Sequence, residues 1–600
     1  MRRMPEGPSI CLNMIVRNET HIVQEVLDAV SPYIASWVIV DTGSDDGTQD
    51  VIRAHMRTLG IPGELHEREW RNFGHNRTEA LQLARGHGDY IWVMDADDMV
   101  VGTLEFRGLS ADCYALRYGS DFSYWRKQVF RSGLPWRYEG VVHEYAVCDA
   151  PATDARLDGD YYIESRRLGG RNLDPKKYER DRDLLLAEVA RKPDDARSVF
   201  YLAQSYYDAG DPEHALEWYR RRAGMGGWDE EVYYSLFRCG ECQLWLGAPW
   251  PEVQDAFLRA WEHRPVRAEP LHALARQYRI DGRYKLGYLF AERAASIALP
   301  AEDALFVGAD VYAWRARDEQ AICAFWIGKP MESFALCRLL LANPDLPDNE
   351  RERVAENRDF AVPALLEAAS TYPEVLVRTL SAGRREAVPD AAEAGVPATD
   401  LGTAGVRPGT GDAEVTLTVE TGADRAAFAH TLNSFLRCCV DVRRVGRFVA
   451  IDTGLSDGDR AWLAEQYPFV EVAGGSAPLS RVEFTGPYRL RIPAGWEFFG
   501  PERYVGRALE VFAAEPELGQ VGINVNDAET LADRTPAPQE IRRTAAGSRY
   551  VLLAEPAQVR GPAVLRTAAF DPAVAAGSGL PTASFDEILC VRAGSGATAA

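Results

Sequence analysis

The sequence predicts two α/β domains with an all-α region between them. Residues 9–165 alternate strand-like apolar runs with helix-like amphipathic segments, and residues 413–600 return to the same alternation. Residues 175–360 show no strand pattern and are rich in Ala, Leu, Tyr, Trp, Glu and Arg. At roughly 100–200 residues per domain, a chain of 600 residues divides into three or four parts.

The predicted domain boundaries follow these changes in pattern. Residues 381–412 are dominated by Ala, Gly, Pro, Asp and Glu, a composition that buries little apolar surface and is typical of a linker. We predict a Rossmann-like α/β domain over 1–170, a helical domain over 171–380, a linker over 381–412 and a second α/β domain over 413–600.

Charge and composition argue against several classes of partner. The 67 basic and 89 acidic residues give a net charge of −22, and an acidic surface repels nucleic acid and anionic lipid. No apolar run reaches the ~18–20 residues that cross a bilayer, and no secretory stretch follows the basic first residues. We therefore expect a cytoplasmic protein with neither a membrane span nor a nucleic-acid partner. The cysteines are expected to be reduced, including the CxxC pair Cys239 and Cys242, which lacks a second pair to complete a zinc site.

Hydrophobic periodicity predicts the elements of the first α/β domain. We expect strands at 10–16, 37–40 and 90–94 and helices at 21–30, 48–59 and 78–84. Alternating strands and helices indicate a mostly parallel sheet, whose ligands bind at the carboxyl ends of the strands.

The helical region repeats itself. Gly210, Gly247 and Gly282 mark turns that are 37 and then 35 residues apart. A helical-hairpin unit of about 34 residues is the tetratricopeptide signature. We count three fair repeats and a looser fourth at 310–343; a generic helical bundle is the alternative.

The second α/β domain echoes the first. The pattern of residues 37–47, WVIVDTGSDDG, recurs at residues 447–458, RFVAIDTGLSDG. We therefore predict that residues 413–600 are a second copy of the N-terminal fold, with an unrelated α/β domain as the alternative.

An acidic group follows the third predicted strand. Asp95 and Asp97 are at alternate positions, so they can converge on one site, where two carboxylates repel each other unless a cation lies between them. Oxygen ligands suit Mg²⁺ or Mn²⁺, and such an ion can bridge a nucleotide diphosphate. The alternative is a solvated acidic turn.

Three segments in this order resemble the family 2 glycosyltransferases of the GT-A fold: LNMIVRNE at 12–19, VIVDTGSDDGT at 38–48 and DADD at 95–98. The resemblance implies that Asp41 contacts the nucleotide base and that Ile15, Arg17 and Asn18 line the same site. It also implies donor contacts from Asp95 and Ala96. Alternatively, Asp41 caps the helix that begins near Thr48.

Residues 70–77, WRNFGHNR, look like the stretch that lies beside the diphosphate in relatives with helical repeats. By that resemblance Asn76 and Arg77 would bind the donor, and Arg77 can neutralise phosphate bidentately. The alternative for Arg77 is a surface salt bridge with Glu79 or with a neighbouring residue.

Residues 136–145 contain a Gly-x-x-His-Glu pattern similar to one in related glycosyltransferases with tetratricopeptide repeats. The resemblance makes His143 a third metal ligand beside Asp95 and Asp97, and Glu144 the base that takes the acceptor proton. Asp98 is the second candidate for the base and Asp121 the third.

The function that this resemblance implies is metal-assisted, inverting sugar transfer from a nucleotide sugar, with a UDP-sugar favoured, to a protein or peptide. Residues 488–496 of the second copy lack the acidic group, so that copy is expected to be inactive and to serve assembly, dimerisation or acceptor docking. The alternative is a non-catalytic scaffold built on helical repeats. A nucleotidyltransferase is disfavoured, because no basic phosphate-activating motif accompanies the acidic group.

Overall fold

The structure is a computed structural model that describes residues 7–119, 124–166, 168–169, 176–382, 415–474, 486–533, 540–553, 559–567 and 581–593. Asp121 lies outside the described residues, as does the predicted linker from residue 383 onward. The chain forms two compact units: the first contains Met1–Leu274 and Arg293–Tyr312, and the second contains Ala275–Glu292 and Ala313–Ala600. Within the described residues, no helix is long and apolar enough to span a membrane.

The first unit begins with an α/β domain. Its strands are β1 (Ile10–Val16), β2 (Ser36–Asp41), β3 (Gly63–Glu67), β4 (Tyr90–Val93), β5 (Asp98–Gly102), β6 (Cys113–Tyr118), β7 (Tyr124–Arg131), β8 (Trp136–Glu139), β9 (Tyr145–Cys148), β10 (Asp154–Arg156) and β11 (Tyr161–Ser165). Its helices are α1 (Val23–Val30), α2 (Thr48–Leu59) and α3 (Phe73–Ala84). The main sheet has the order β3-β2-β1-β4-β7-β6-β11-β5, with β10 beside β6, while β8 and β9 pair separately.

The predicted α/β order is confirmed, although the sheet is more mixed than expected. Strands β3, β2, β1 and β4 are parallel, whereas β7 runs antiparallel to both β4 and β6. Helix α3 begins at Phe73 rather than at residue 78, because the Asn72 side chain caps it by accepting the His75 N–H at 2.8 Å. This earlier start places Asn76 and Arg77 inside the first turns of α3.

Consecutive helices follow the sheet. The first unit contains α4 (Lys177–Arg191), α5 (Ala196–Asp208), α6 (Pro212–Gly224), α7 (Asp229–Trp245) and α8 (Trp250–His263). Helices α9 (Glu269–Ile280) and α10 (Tyr284–Ala295) are divided between the units. The turn glycines Gly210, Gly247 and Gly282 all have positive φ, of 80°, 68° and 70°. The prediction of tetratricopeptide-like helical repeats is therefore confirmed.

The second unit joins further helices to a second sheet domain. Its helices are α11 (Ala316–Trp326), α12 (Pro330–Ala342), α13 (Asp348–Phe360), α14 (Val362–Ser370), α15 (Glu374–Ser381), α16 (Arg425–Cys438), α17 (Asp457–Gln466) and α18 (Tyr504–Ala514). Its strands are β12 (Val415–Glu420), β13 (Val445–Asp452), β14 (Val470–Gly474), β15 (Tyr488–Ile492), β16 (Trp496–Phe498), β17 (Gln520–Gly522), β18 (Ile541–Arg543), β19 (Arg549–Leu552), β20 (Ala563–Arg566), β21 (Thr582–Phe585) and β22 (Cys590–Arg592). A π-helical turn, Val311–Arg315, precedes α11, and short 3₁₀ turns lie at Val442–Arg444, Val525–Asp527 and Leu531–Asp533.

The first seven strand positions of the second sheet repeat those of the first. Its order is β14-β13-β12-β15-β20-β17-β21-β19-β18. The strands β14, β13, β12 and β15 are parallel, and β20 runs antiparallel to β15 and β17, as β7 does to β4 and β6. Strand β21 is parallel to β17, as β11 is to β6. The shared order and directions support the prediction of a second copy.

Buried charges join helix α12 to this second sheet domain. The Arg338 guanidinium donates to Glu502 at 2.8 Å and to Glu587 at 2.7 Å. Arg507 donates to the same two carboxylates at 3.0 and 2.8 Å. Because removing one partner would leave buried carboxylates uncompensated, this cluster fixes how α12 meets the sheet domain within the second unit.

Close packing between hairpin helices gives the first prediction. A Cβ added at Gly240, inside α7, would lie 2.7 Å from the fully buried Phe257 ring of α8, whereas one at the exposed Gly224 of α6 meets nothing within 4 Å. Gly240→Ala should lower the free energy of unfolding by about 1–2 kcal/mol, because overpacking outweighs the gain in helix propensity. The matched Gly224→Ala should raise it by about 0.5–1 kcal/mol. Urea denaturation measures the free energy of unfolding of both variants. An equal increase in the two would show that α7 and α8 are not closely packed.

Candidate active site

Three parallel strands of the first sheet end at one edge. Asp41 is the last residue of β2, and Asp95 lies two residues beyond the end of β4, with β1 between these strands. At a strand spacing of ~4.8 Å, the two strand ends are roughly 10 Å apart. This is the edge at which open α/β sheets bind ligands.

Asp41 uses its two carboxylate oxygens differently. Oδ1 accepts the N–H groups of Gly43 and Ser44 at 3.0 and 2.9 Å and the Gln49 side chain at 3.1 Å, which fixes the loop after β2. Oδ2 is buried and has no hydrogen-bond partner among the described residues. Helix α2 is capped by Gly47 rather than by Asp41. Asp41 therefore supports the loop with one oxygen, while the other is a buried acceptor without a partner among the described residues.

The end of β1 supports the same loop. Asn18 has a left-handed backbone, with φ 58°; its N–H donates to the Ser44 Oγ at 2.9 Å, and its Oδ1 accepts the Asp45 N–H at 3.0 Å. Ile15 is half-buried on β1, and Arg17 is exposed beyond it. The structure thus places Ile15, Arg17 and Asn18 next to the Asp41 loop.

Asp95 is held between two arginines. Its carboxylate accepts from Arg77 through Oδ1 and from Arg126 through Oδ2, the latter at 3.0 Å. Burial disfavours the ionised form, but the charges of Arg77 and Arg126 outweigh burial and hold the pKa of Asp95 well below its usual value. Asp95 is therefore a carboxylate at neutral pH.

The neighbouring carboxyl groups have different surroundings. Asp97 is buried, and its Oδ2 accepts the Gly169 N–H at 3.2 Å; a Cβ added at Gly169 would also lie 3.4 Å from Glu19 Oε1. Asp98 accepts the Tyr118 hydroxyl at 2.7 Å. Burial, and then the Asp95 charge, raise the pKa of Asp98 to about 7. Asp98 therefore has one carboxylate oxygen engaged by Tyr118.

Arg77 links three parts of the site. Its side chain is only 6% exposed, and Nε donates to Glu144 Oε1 at 2.6 Å while Nη2 binds Asp95. Within the described part of the chain, Nη1 is buried without a hydrogen-bond partner. The alternative salt bridge with Glu79 is not formed, because Glu79 accepts instead from Arg68 at 2.9 Å.

Asn76, predicted as a donor-binding residue, supports the turn that precedes α3. It is fully buried; its Oδ1 accepts the Arg71 N–H, and its Nδ2 donates to the Glu69 carbonyl, both at 3.0 Å. Ala96, the other predicted contact in the acidic group, is also buried. The amide of Asn76 therefore fixes the entry to α3 and, through it, the position of Arg77.

The three predicted metal ligands are not gathered by the structure. Among the described residues, no three His, Cys, Asp or Glu side chains are grouped so that they could hold a metal ion. Asp95 is engaged by two arginines, and the His143 ring is stacked on Tyr201 with centroids 4.0 Å apart. Whether His143 joins Asp95 and Asp97 as a metal ligand therefore stays a prediction.

Sequence reasoning missed residues that reach the site from outside its motifs. Arg126 lies on β7 and Tyr118 on β6, and the antiparallel pairing of these strands brings both to the acidic group. Tyr201 lies on α5, in the helical region. Only the alternation of side chains along the paired strands β6 and β7 could have indicated Arg126. No pattern in the sequence around Tyr201 indicates its contact with the site.

The second sheet lacks the acidic group at the corresponding position. Leu417 pairs with Leu490 in β12 and β15 as Leu12 pairs with Trp92 in β1 and β4. This register places Pro493, Gly495 and Trp496 where the first sheet has Asp95, Asp97 and Asp98.

The loop after β13 keeps the Asp41 arrangement with one change. Asp452 Oδ1 accepts the N–H groups of Gly454 and Leu455 at 2.9 and 2.8 Å. Asp452 Oδ2, however, accepts from Arg460 at 2.7 Å. A side chain of the protein itself thus occupies the acceptor that stays open on Asp41.

Comparison with known proteins defines the class of the first domain. Residues 11–102, from β1 through β5, match the model of Glycosyl transferase family 2. The part of the N-terminal sheet from β1 through β5 therefore matches a family 2 glycosyltransferase domain, as the sequence predicts.

Among individual relatives, the SPbeta prophage-derived glycosyltransferase SunS of Bacillus subtilis (strain 168) is 25% identical over 155 residues. The match covers 23% of this chain and 35% of SunS, and the SunS of Bacillus phage SPbeta matches equally. The chain thus spans about a third of the length of the curated relatives it matches.

Similar solved structures cover parts of the chain. YrrB, a TPR protein with an unusual peptide-binding site, is 14% identical, with 30% of this chain and 82% of YrrB covered at a TM-score of 0.24. The mannosyltransferase PcManGT from Pyrobaculum calidifontis, in complex with GDP-Man and Mn²⁺, is 28% identical, with 16% and 28% covered at a TM-score of 0.14. TM-scores this low define no shared overall fold.

The buried position of Arg77 gives the second prediction. Arg77→Met removes the guanidinium that compensates the charges of Asp95 and Glu144. The variant should have a free energy of unfolding lower by about 3–5 kcal/mol. Arg68→Met removes the half-exposed pair with Glu79 and should cost less than about 1 kcal/mol. Thermal and urea denaturation compare the two variants. Equal, small losses would mean that the Arg77 contacts are not desolvated as the structure shows.

Proposed function

We propose that the first unit transfers a sugar from a nucleoside-diphosphate sugar to an acceptor. The observation that carries this proposal is a pair of buried, unsatisfied groups at one edge of a family 2 glycosyltransferase sheet. Asp41 Oδ2 is an acceptor and Arg77 Nη1 is a donor, and both lack partners among the described residues. Buried polar groups are usually hydrogen-bonded, so a ligand with a donor for Asp41 Oδ2 and an acceptor for Arg77 Nη1 would satisfy both.

The two groups suit opposite ends of a nucleotide. A carboxylate oxygen accepts from the imide N–H of a pyrimidine base, which favours a UDP-sugar, and Ile15, Arg17 and Asn18 lie next to that position. Arg77 carries a donor suited to the diphosphate. The estimated separation of about 10 Å between the strand ends is compatible with a base at one end and phosphates at the other.

A divalent cation fits the donor chemistry of the acidic group. Mg²⁺ is commonly bound by one or two carboxylates together with substrate phosphates, so a preformed set of three protein ligands is not required. Asp95 and Asp97 would hold the ion with carboxylate oxygens. When bound, Mg²⁺ or Mn²⁺ supplies positive charge that stabilises the departing diphosphate.

Glu144 is the proposed base. Arg77 orients its carboxylate through Oε1 at 2.6 Å, and the side chain is 8% exposed. The acceptor hydroxyl or thiol loses its proton to Glu144 as it attacks the anomeric carbon, the bond to the diphosphate breaks on the opposite face, and the configuration inverts. Asp98, with a raised pKa and a hydrogen bond from Tyr118, is the second candidate.

A protein or peptide is the proposed acceptor. Stacked helical hairpins commonly present surfaces for peptides, and the hairpins of the first unit expose Trp228 and Trp245. A non-catalytic scaffold is the alternative function, and the engagement of Asp95 by two arginines is the observation that favours it.

Donor hydrolysis tests this function and gives the third prediction. The protein should release nucleoside diphosphate from one member of a panel of UDP-, GDP- and TDP-sugars, in the presence of Mn²⁺ or Mg²⁺ but not with EDTA. Asp97→Asn should lower kcat about 100-fold or more, because it weakens stabilisation of the leaving group. Asp50→Asn, which alters an exposed carboxylate of α2, should leave kcat unchanged. Turnover that survives Asp97→Asn contradicts the site, and the absence of turnover with every donor favours the scaffold.

Nucleotide binding gives the fourth prediction, with the second copy as its control. Asp41→Asn should weaken UDP binding about 10- to 100-fold in calorimetry, because a hydrogen bond to a charged group is lost. Asp452→Asn should leave the affinity unchanged, since Arg460 already occupies that carboxylate. A loss of affinity in Asp452→Asn alone would place the nucleotide in the second unit and refute the assignment.

A further inference from the structure

The loop between β8 and β9, residues 140–144, carries the proposed base and contacts a helix of the repeat region. Val142 is buried together with α5 residues, among them Val199 and Tyr201, in the core cluster of the first helices. The loop therefore packs into the helical core of the first unit, although sequence analysis assigns it to the α/β domain.

Helix α5 presents two side chains to this loop. Arg197 and Tyr201 are four residues apart, so they lie on the same face of the helix. Tyr201 stacks flat on the His143 ring, with an interplanar angle of 10°. Arg197 donates from Nη2 to the His143 carbonyl at 3.2 Å and lies over the rings of Tyr145 and Tyr201, at 4.8 and 5.0 Å.

The opposite side of the loop is fixed by α3, the helix that carries Arg77. The Phe73 N–H donates to the Val141 carbonyl at 3.2 Å. A Cβ added at Gly74 would collide with the Gly140 carbonyl, so only glycine allows this approach. The loop is thus held between α3 and α5, and Glu144 at its end meets Arg77.

The backbone of His143 is strained in a way that requires such support. Its φ is 52°, in the left-handed region that non-glycine residues rarely adopt. A conformation of this kind persists when surrounding contacts over-determine it. Here the ring is fixed by Tyr201 and the carbonyl by Arg197, on the residue directly before Glu144.

Arg197 is itself anchored by the next hairpin. Its Nη1 lies 3.5 Å from Glu231 Oε1 on α7, and Glu231 accepts from the buried Arg222 of α6 at 2.9 Å. Contacts therefore run from Arg222 through Glu231 and Arg197 to His143. They extend the support of the loop to helices α6 and α7.

We propose that Arg197 and Tyr201 are positioning residues for Glu144, so that the first helices of the repeat region complete the active site. This inference rests on the proposed function. Neither side chain lies among the donor-binding residues, so their loss should affect turnover and leave nucleotide affinity unchanged. Misplacing a catalytic group by about 1 Å can lower a rate about 100-fold.

The test compares substitutions on α5, and it is the fifth prediction. Tyr201→Leu removes the flat ring and should lower kcat for donor hydrolysis about 10- to 100-fold, while the UDP Kd stays within about 2-fold. Tyr201→Phe keeps the ring and should retain kcat within about 2-fold. Arg197→Lys loses the planar fork and should behave like Tyr201→Leu. Tyr207→Leu, on the same helix but against Trp245, is the matched control and should retain kcat.

A double-mutant cycle separates positioning from general damage. If Tyr201 acts through Glu144, Tyr201→Leu should add little to the loss that Glu144→Gln causes alone. Additive losses, a UDP Kd that rises in step with the fall in kcat, or equal effects of Tyr201→Leu and Tyr207→Leu would overturn the inference. Wild-type kcat in Tyr201→Leu would overturn it and leave the proposed function standing, whereas an inactive wild-type protein would refute both.

Discussion

The guanidinium of Arg77 is the interaction on which the candidate site depends. It joins α3 to the acidic group after β4 through Asp95, and to the loop after β8 through Glu144. These segments come from different parts of the chain and belong to no common strand ladder among the described residues. One nearly buried cation between two carboxylates therefore joins all three at the site, beside the backbone contact of Phe73 with Val141.

The choice of arginine at this point follows from geometry. A guanidinium holds its N–H donors in a fixed planar fork. It can therefore donate to two carboxylates and still point a third donor in another direction. The ammonium group of lysine does not fix the directions of its donors in this way. In Arg77 two donors are used within the protein, and Nη1 has no hydrogen-bond partner among the described residues. The arrangement thus organises the site and keeps one donor for the proposed diphosphate contact. Because Arg126 also compensates Asp95, that carboxylate stays ionised although its surroundings disfavour the charge.

The parts of the site that could be predicted from the sequence are those that follow parallel strands. Asp41 and Asp95 lie at or just after the ends of buried strands. The carboxyl ends of parallel strands meet at one edge of the sheet, independently of the other parts of the fold. The contribution of Arg126 could not be predicted in this way, since it depends on the pairing of β6 with β7. The surroundings of His143 could not be predicted in this way either, because its ring stacks on Tyr201, 58 residues further along the chain.

The second sheet separates what the fold requires from what the proposed chemistry requires. Asp452 keeps the two N–H contacts of Asp41, although the acidic group that would accompany a donor site is replaced by Pro493, Gly495 and Trp496. One carboxylate oxygen is therefore needed for the turn after the strand, independently of any ligand. The other oxygen needs a partner in either case, because a buried carboxylate without one is unfavourable. In the second copy Arg460 is that partner. In the first copy the equivalent position is Gln49, which donates to Oδ1 instead, so Oδ2 of Asp41 has no hydrogen-bond partner among the described residues.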